Sequence, residues 1–349
     1  MEIQNGNLEP LFYLLGRLSA KKVTNMTEYI IGVDLGGTRL RAARFDHDLN
    51  MLARDEVLTL SEEGVEATIG RMKSLIRAMM GGEKITSIGV SVPGPMNPYT
   101  GVVVAPPNLF GWHNVPLRQI LQDEFGIPVY LGNDANVAAL AEVVLGAAQG
   151  YRHAIFITVS TGIGSGIIID GQMLLGKDGL GAEVGHIVML VGDKVSTLEE
   201  EAAGPALAEK ARARIAAGEQ SQIRDMVNGD LSLITGATVG KAAEAGDPLA
   251  LSIVERAGRI IGYGVVSLLH LFNPEIIVFG GGVSNLGDLL FNPMREAIRE
   301  AAIDSSYWKD LKIEMAGLGE NVSLYGAGAL ALTKGGVENV AVVKAELDE

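Results

Sequence analysis

Asp134 stands in the stretch Gly132-Asn133-Asp134-Ala135-Asn136, where a strand pattern gives way to a helical one. A carboxylate there can cap the helix, a common use of Asp. Kept ionised by the helix N-terminus, it can also accept a proton. Three glycine turns offer a second kind of chemistry. Gly36, Gly37 and Thr38 follow one apolar run, Thr161 and Gly162 a second, and Gly280, Gly281 and Gly282 a third. Glycines after a buried strand let backbone N–H groups approach a phosphate, and Thr38 and Thr161 add hydroxyls. At the third turn a flat base or ribose could come close. Three such turns exceed what hairpin geometry alone requires, so they point to a nucleotide held in one cleft. Glu183 and His186, three apart, face that cleft together if their segment is helical or turned.

Neither common phosphate loop accounts for the first turn. A dinucleotide fingerprint needs a helix directly after its glycines. Here Leu40 and Ala42 alternate with Arg39 and Arg41, which is strand periodicity. No GK[ST] ending is present either. The turn therefore belongs to a β-hairpin. Strands over 29–35, 39–46 and 51–59 lead to a helix over 66–82, a strand into the Pro93–Pro95 loop, a helix over 117–126, a strand over 127–134 and a helix over 135–146. The design then restarts about 125 residues on. Residues 153–174 repeat an apolar strand, a Thr/Gly turn, a second strand and an acidic turn. Alternating strands and helices make this an α/β protein.

The gross numbers agree. The chain has 349 residues, enough for roughly two domains. A net charge of −14 argues against a nucleic-acid partner, which requires clustered Lys and Arg. Having no cysteine, the chain can form no disulfide or thiolate metal site, and this composition fits a cytoplasmic location. The apolar run at 260–272 stops at Asn273-Pro274, too short for a bilayer at about 20 residues. With Asp247 and Pro248 as N-cap and first helical position, it reads as the end of a core helix. Residues 1–27 read as an extension without a basic leader, with Leu8, Leu11, Phe12, Leu15 and Leu18 at helical spacing. The expected division is 28–134 for a smaller domain, 135–335 for a larger one and 336–349 for a fraying tail.

Several segments together carry a resemblance: "GVDLGGTRLRAARFD", "GVSVPGP", "APPNLFGW", "LGNDANVAALAE", "STGIGSGIIIDGQML", "GAEVGHI", "LEEEAAGPAL" and "IIVFGGGVS". In content and order they resemble the ROK family (repressors, uncharacterised reading frames and sugar kinases) of the actin-like ATPase superfamily. The resemblance implies two ribonuclease H-like domains with an active-site cleft between them. It implies ATP-dependent phosphorylation of a hexose, glucose at its 6-hydroxyl being the first choice. N-acetylmannosamine, N-acetylglucosamine, fructose or another hexose is the alternative substrate. A non-catalytic sugar-responsive regulator is the other class, and it needs a DNA-binding domain longer than the 28 residues or so before the first strand. By the same resemblance Asp134 is the general base, and Gly94, Asn108, Asn133, Glu183, His186 and Glu199 contact the sugar. Glu199 would otherwise belong to a solvated acidic face with Glu200 and Glu201, and Trp112 is core or a stacking platform. Gly36, Gly37, Thr38, Thr161, Gly162, Gly281 and Gly282 hold ATP, Asp34 holds Mg²⁺ through water, and the protein forms a homodimer or higher homo-oligomer. No nucleic acid or membrane partner is implied.

Two departures stand out. Arg39 replaces the usual Lys or Asn, keeping a positive charge. The family's zinc cysteines map near Leu190, Gly192 and Thr197, none a zinc ligand, and a structural zinc site needs four ligands. His186 alone cannot supply one. The expectation is a zinc-free protein whose 189–198 loop is held by apolar packing of Met189, Leu190, Val191 and Val195. Elemental analysis, with activity after chelation and Mg²⁺ replenishment, should find no stoichiometric zinc and full recovery. Activity restored only by zinc would overturn the expectation.

Overall fold

A computed structural model describes residues 28–339. Strand β1 (Glu28–Leu35) is buried without a break from Ile30 to Leu35, as a strand covered on both faces must be. It forms an antiparallel meander with β2 (Arg39–Phe45) and β3 (Met51–Leu58), the latter a largely exposed edge. Helix α1 (Val65–Met80) leads to β4 (Lys84–Val92), which pairs parallel to β1. A small ribbon of β5 (Met96–Asn97) and β6 (Val102–Val103) precedes α2 (Leu117–Phe125) and β7 (Val129–Asn133). The sheet order is β3-β2-β1-β4-β7.

Helix α3 (Asp134–Val144) carries the chain to a second sheet. Its meander is β8 (Ala154–Val159), β9 (Ile163–Ile169) and β10 (Gln172–Met173). A separate hairpin, β11 (Val188–Val191) and β12 (Lys194–Thr197), comes next. After it come α4 (Leu198–Ala202), α5 (Gly204–Ala216), α6 (Ile223–Met226), α7 (Gly236–Glu244) and α8 (Pro248–Phe272). Strand β13 (Ile276–Gly280), helix α9 (Asp288–Ala301), strand β14 (Lys312–Met315) and helix α10 (Val322–Leu332) complete the described chain. The second order, β10-β9-β8-β13-β14, repeats the first strand for strand. The repeat legible in residues 153–174 is thus a repeat of topology. As expected, Asp247 caps α8 through the Ala250 N–H, with Pro248 first in the helix and Asn273 left-handed at its end.

Two helices join the sheets. On one face α3 packs against β9, where a Cβ at Gly166 would lie 2.6 Å from the Ala139 side chain. Helix α10, expected with the second half of the chain, lies instead on the first sheet. A Cβ at Gly89 of β4 would come within 1.8 Å of the Ala327 carbonyl oxygen, and Gly326 abuts Val137 of α3 equally closely. The chain therefore crosses between sheets twice, at 145–153 and 316–321. Glu142, fully buried on α3, ties the crossings together: its carboxylate accepts the Ala147 N–H at 2.8 Å and the Gly317 N–H at 3.0 Å.

At the start of the tail the Met173 N–H donates to the Gly336 carbonyl at 2.9 Å. Residues 340–349, like the apolar segment at 8–18, lie outside the described residues. Among those described, no helix is long and apolar enough to cross a membrane. The glycine contacts give a paired prediction. Gly89→Ala should destabilise the protein by about 3 kcal/mol or more, at the upper end of overpacking costs. Gly70→Ala, in the interior of α1 with open space around it, should stabilise by up to about 1 kcal/mol. Urea denaturation checks both, and equal effects would refute the close seat of α10.

Candidate active site

Asn133, the last residue of β7, caps α3: its Oδ1 accepts the Asn136 N–H at 2.8 Å. The capping role open to Asp134 is therefore taken by its neighbour, and Asn133 keeps its amide donors for a ligand. Asp134 is the first helical residue. One carboxylate oxygen accepts the Ala135 N–H at 2.8 Å, and the other has no protein partner among the described residues. The residue is reachable from solvent, yet the surrounding walls withhold much of the water. This desolvation pushes its carboxyl above the ordinary aspartate value; the Ala135 N–H opposes the shift, and the nearby charge of Asp34 adds to it.

Asp34, the last residue but one of β1, lies opposite Arg41 of β2. Its Oδ2 accepts Nη2 of Arg41 at 2.6 Å and Nε at 2.9 Å, while Nη1 of Arg41 donates to the Glu320 carbonyl at 2.9 Å. Burial pushes the Asp34 carboxyl up, and Arg41 pulls it down. Oδ1 of Asp34 remains open. Among the described residues no three His, Asp or Glu side chains gather to hold a metal. One open carboxylate oxygen suits an ion such as Mg²⁺, which keeps several waters and relies on substrate phosphates. In the turn that follows, the Thr59 hydroxyl donates to the Gly36 carbonyl at 2.7 Å. The close approach at Gly37 is to protein: a Cβ there would lie 2.9 Å from the Asn108 carbonyl oxygen. Asn108 is thus beside the first glycine turn. Trp112, 1% exposed, is core and no stacking platform.

The start of β9 gathers a second group. The Ile163 N–H donates to Glu199 at 2.7 Å, so Glu199 is tied to the Thr161–Gly162 turn and is not part of a solvated acidic face. Gly185 seats the Glu183–His186 turn on this strand, where a Cβ would meet the Ile163 carbonyl at 2.1 Å. Residues Val184–His186 form one 3₁₀ turn, leaving Glu183 and His186 exposed beside it. Gly164 lies against Ala135, one residue from Asp134. Asp134, Glu199 and the Glu183–His186 turn therefore surround the first residues of β9. Gly94, on the loop after β4, has open space where a side chain would stand.

Two cavities with no lining residue in common border the glycine turns. One, of about 830 Å³, is lined by Asp34, Gly36, Gly37, Thr38, Arg41 and Glu320 among others. The other, of about 710 Å³, takes Thr161 and Gly282 together with Gly204, Ile234, Gly236 and Asn285. Gly282 has open space where a Cβ would stand, whereas Gly281, at φ +87°, serves the turn itself. Helices α5 and α7 begin on this second cavity; the Gly204 N–H is taken by the Ser160 carbonyl at 2.8 Å and Pro205 has none, so the start of α7 at Gly236 and Ala237 is the one that favours an anion. Arg41 and the Gly204 and Gly236 helix starts went unread in the sequence. Gly204-Pro205 and Thr235-Gly236, as helix-start pairs, were the available signal.

The 188–197 segment departs from expectation. It is a two-stranded ribbon whose side chains alternate. Met189 packs on the second core, but Leu190 and Val195 are 76% and 66% exposed. The apolar packing proposed for them does not exist. Instead Ser196 donates to buried Glu201 at 2.9 Å, and Arg256 and Lys210 approach Glu201 at 2.6 and 3.2 Å. Burial alone would raise the Glu201 carboxyl; Arg256, Ser196 and Lys210 outweigh it and hold the value at about 2. Because this lies below the unfolded value, the stabilisation is complete above pH ~4.5 and fades as pH falls towards 2. Glu201→Gln should cost about 1.5–3 kcal/mol at pH 7, and the deficit should shrink in urea melts at pH 3. A deficit independent of pH would exclude this ionic anchor.

With the geometry in place, comparison with known proteins is direct. The glucokinase of Thermotoga maritima is 33% identical over 307 residues, covering 86% of this chain and 96% of that protein. The xylose repressor of Caldicellulosiruptor bescii is 30% identical over 321 residues, covering 87% of this chain and 78% of the repressor. A crystal structure of a ROK family glucokinase from Streptomyces griseus, in complex with glucose and AMPPNP, superposes with a TM-score of 0.69 at 31% identity. It covers 87% of this chain and 99% of that one. The ROK family model matches residues 30–334, and the chain belongs to the ROK family.

Proposed function

We propose that this protein transfers the γ-phosphoryl group of ATP to a hexose, with glucose at its 6-hydroxyl the preferred substrate. N-acetylmannosamine, N-acetylglucosamine, fructose or another hexose is the alternative. The carrying observation is Asp134: a carboxylate with one unpartnered oxygen, at a helix N-terminus, with its pKa raised above the ordinary range. Phosphoryl transfer asks the protein for positioning, charge compensation and an acceptor for the hydroxyl proton. A base whose pKa is raised binds the departing proton more strongly than an ordinary carboxylate does.

The remaining roles follow from placement. Asn133 offers its amide donors to a neighbouring sugar hydroxyl; Glu183, His186 and Glu199, which meet at the start of β9, and Asn108 and Gly94 are assigned the other sugar contacts on the family resemblance. Glu199, fixed by the Ile163 N–H, orients the sugar relative to the Thr161–Gly162 turn. The cavity under Gly282 has the volume and open backbone suited to an adenosine moiety, and the α7 start at Gly236 suits its phosphates. Mg²⁺, when bound, supplies charge neutralisation on those phosphates. Asp34 offers it one carboxylate oxygen, and Arg41 holds that carboxylate in place. The kin include a repressor of similar identity, which supports a second reading as a sugar-responsive regulator without catalysis. An open, proton-accepting carboxylate at position 134 weighs against it.

A coupled ADP-release assay over a hexose panel tests the reading. Glucose should give the highest kcat/KM, and no ADP from any hexose would favour the regulator. In Asp134→Asn, kcat should fall at least ~100-fold while sugar affinity changes far less. In the wild type, the acid limb of the rate profile should lie above the ordinary aspartate value of 3.8. Near-normal turnover in the variant would remove Asp134 from the reaction.

A further inference from the structure

Away from the cleft, between α9 and the turn into β14, lies a cavity of about 310 Å³ that the proposed reaction does not use. Four cations line it: Arg295, Arg299, Lys309 and Lys312. No carboxylate does, in a chain whose net charge is −14. Asp288 reaches Arg295 at 3.7 Å; the Ser306 N–H and hydroxyl hold the Asp304 carboxyl below its usual range, with a smaller contribution from Lys309. Arg299, Lys309 and Lys312 have no carboxylate within ion-pair distance among the described residues. Arg299 rests over the Trp308 ring, 5.7 Å from its centroid. Its guanidinium is therefore positioned without a counter-ion. Arg295 and Arg299, one helical turn apart, repel each other. An apolar floor of Ile298, Trp308 and Leu311 completes the cavity.

Arg299, Lys309 and Lys312 are exposed, so water screens much of their repulsion; gathered from two separate elements around one concavity, they still favour an anion there. The volume sits at the lower end of small-molecule sites, roughly 300–1,000 Å³. A polymer would need a long open groove. We propose that this cavity is a second ligand site, which binds a small phosphate monoester. Arg299, Lys309 and Lys312 take the phosphate, Arg295 borders it, and the Trp308–Leu311 floor takes the organic part. None of these residues lines either cavity of the active site, so the inference stands apart from the kinase reading.

Calorimetry on the full chain at constant ionic strength tests it, with glucose 6-phosphate, glycerol 3-phosphate, inorganic phosphate and unphosphorylated glucose as titrants. Both phosphate monoesters should bind with Kd near or below ~1 mM, more tightly than inorganic phosphate, and shift the emission of the half-buried Trp308. A preference for glucose 6-phosphate over glycerol 3-phosphate would identify the reaction product as the source, and equal binding a general phosphate monoester. The double variant Arg299→Glu, Lys312→Glu should weaken phosphate-ester binding at least ~10-fold and leave ADP release unchanged. The milder Lys309→Gln should weaken it less, which guards against misfolding of the double variant. Undiminished binding in both variants would place the anion in the cleft and overturn the proposal. So would the absence of binding, or binding confined to a polyanion such as heparin.

Discussion

Where the chain passes between its two sheets, in each direction, it runs beside one carboxyl group that has no cationic partner among the described residues. Glu142 is fully buried, and its partners are the backbone N–H groups of Ala147, Gly317 and Leu318. An isolated buried charge is costly, and several N–H groups converging on it can compensate. The compensation works only if both crossings come to the same place. A Cβ at Gly146 would stand 2.0 Å from the carboxylate, so glycine is required on one side. Everything in the candidate site inherits this constraint. The first sheet carries Asp34, the Gly36–Thr38 turn and Asp134; the second carries the Thr161–Gly162 turn, Glu199 and Gly282. Their relative positions are set where Glu142 binds the two crossings.

Glycine serves two distinct ends in this fold. Gly32, Gly89, Gly166 and Gly326 let backbone pack on backbone where α3 and α10 meet the sheets. Gly94 and Gly282 face open space. Gly37 is of the first kind, although its motif suggests the second, because it admits the Asn108 loop. The sugar-side loop and the first glycine turn are consequently one packed unit, and a change at Gly37 disturbs both.

Much of this was legible in the residues. Strands buried on both faces are continuous apolar runs, which is why β1, β4 and β8 stood out, and why their repeat could be seen. The cap-plus-proline start of α8 was equally plain. What could not be read depended on long-range placement. The run Gly326–Leu330 says that α10 packs closely, but not on which sheet. Glu142, amid Ala and Val on a helix, looks like any surface charge until the loop at 317 closes over it. Leu190 and Val195 are apolar by type, yet a two-stranded ribbon turns alternate side chains to water. At the candidate site the motifs located Asp134 and the three turns. Arg41 was invisible as a partner because its pairing with Asp34 is a matter of strand register.

That pairing shapes the electrostatics of the site. Asp34 and Asp134 are close enough for the charge of one to raise the pKa of the other. Two carboxylates in such a place, partly withdrawn from water, favour sharing a proton unless a cation intervenes. Arg41 is that cation, and it binds Asp34 through one oxygen only. Burial still raises the Asp34 carboxyl against the pull of Arg41, and Asp34 keeps one oxygen to spare; Asp134 is raised first by desolvation, with the charge of Asp34 adding a smaller part. Arg41 in turn is anchored on the Glu320 carbonyl, three residues beyond the Gly317 N–H bound by Glu142. The carboxylate pair is thus tied, through one arginine, to the same crossing that sets the two sheets in register.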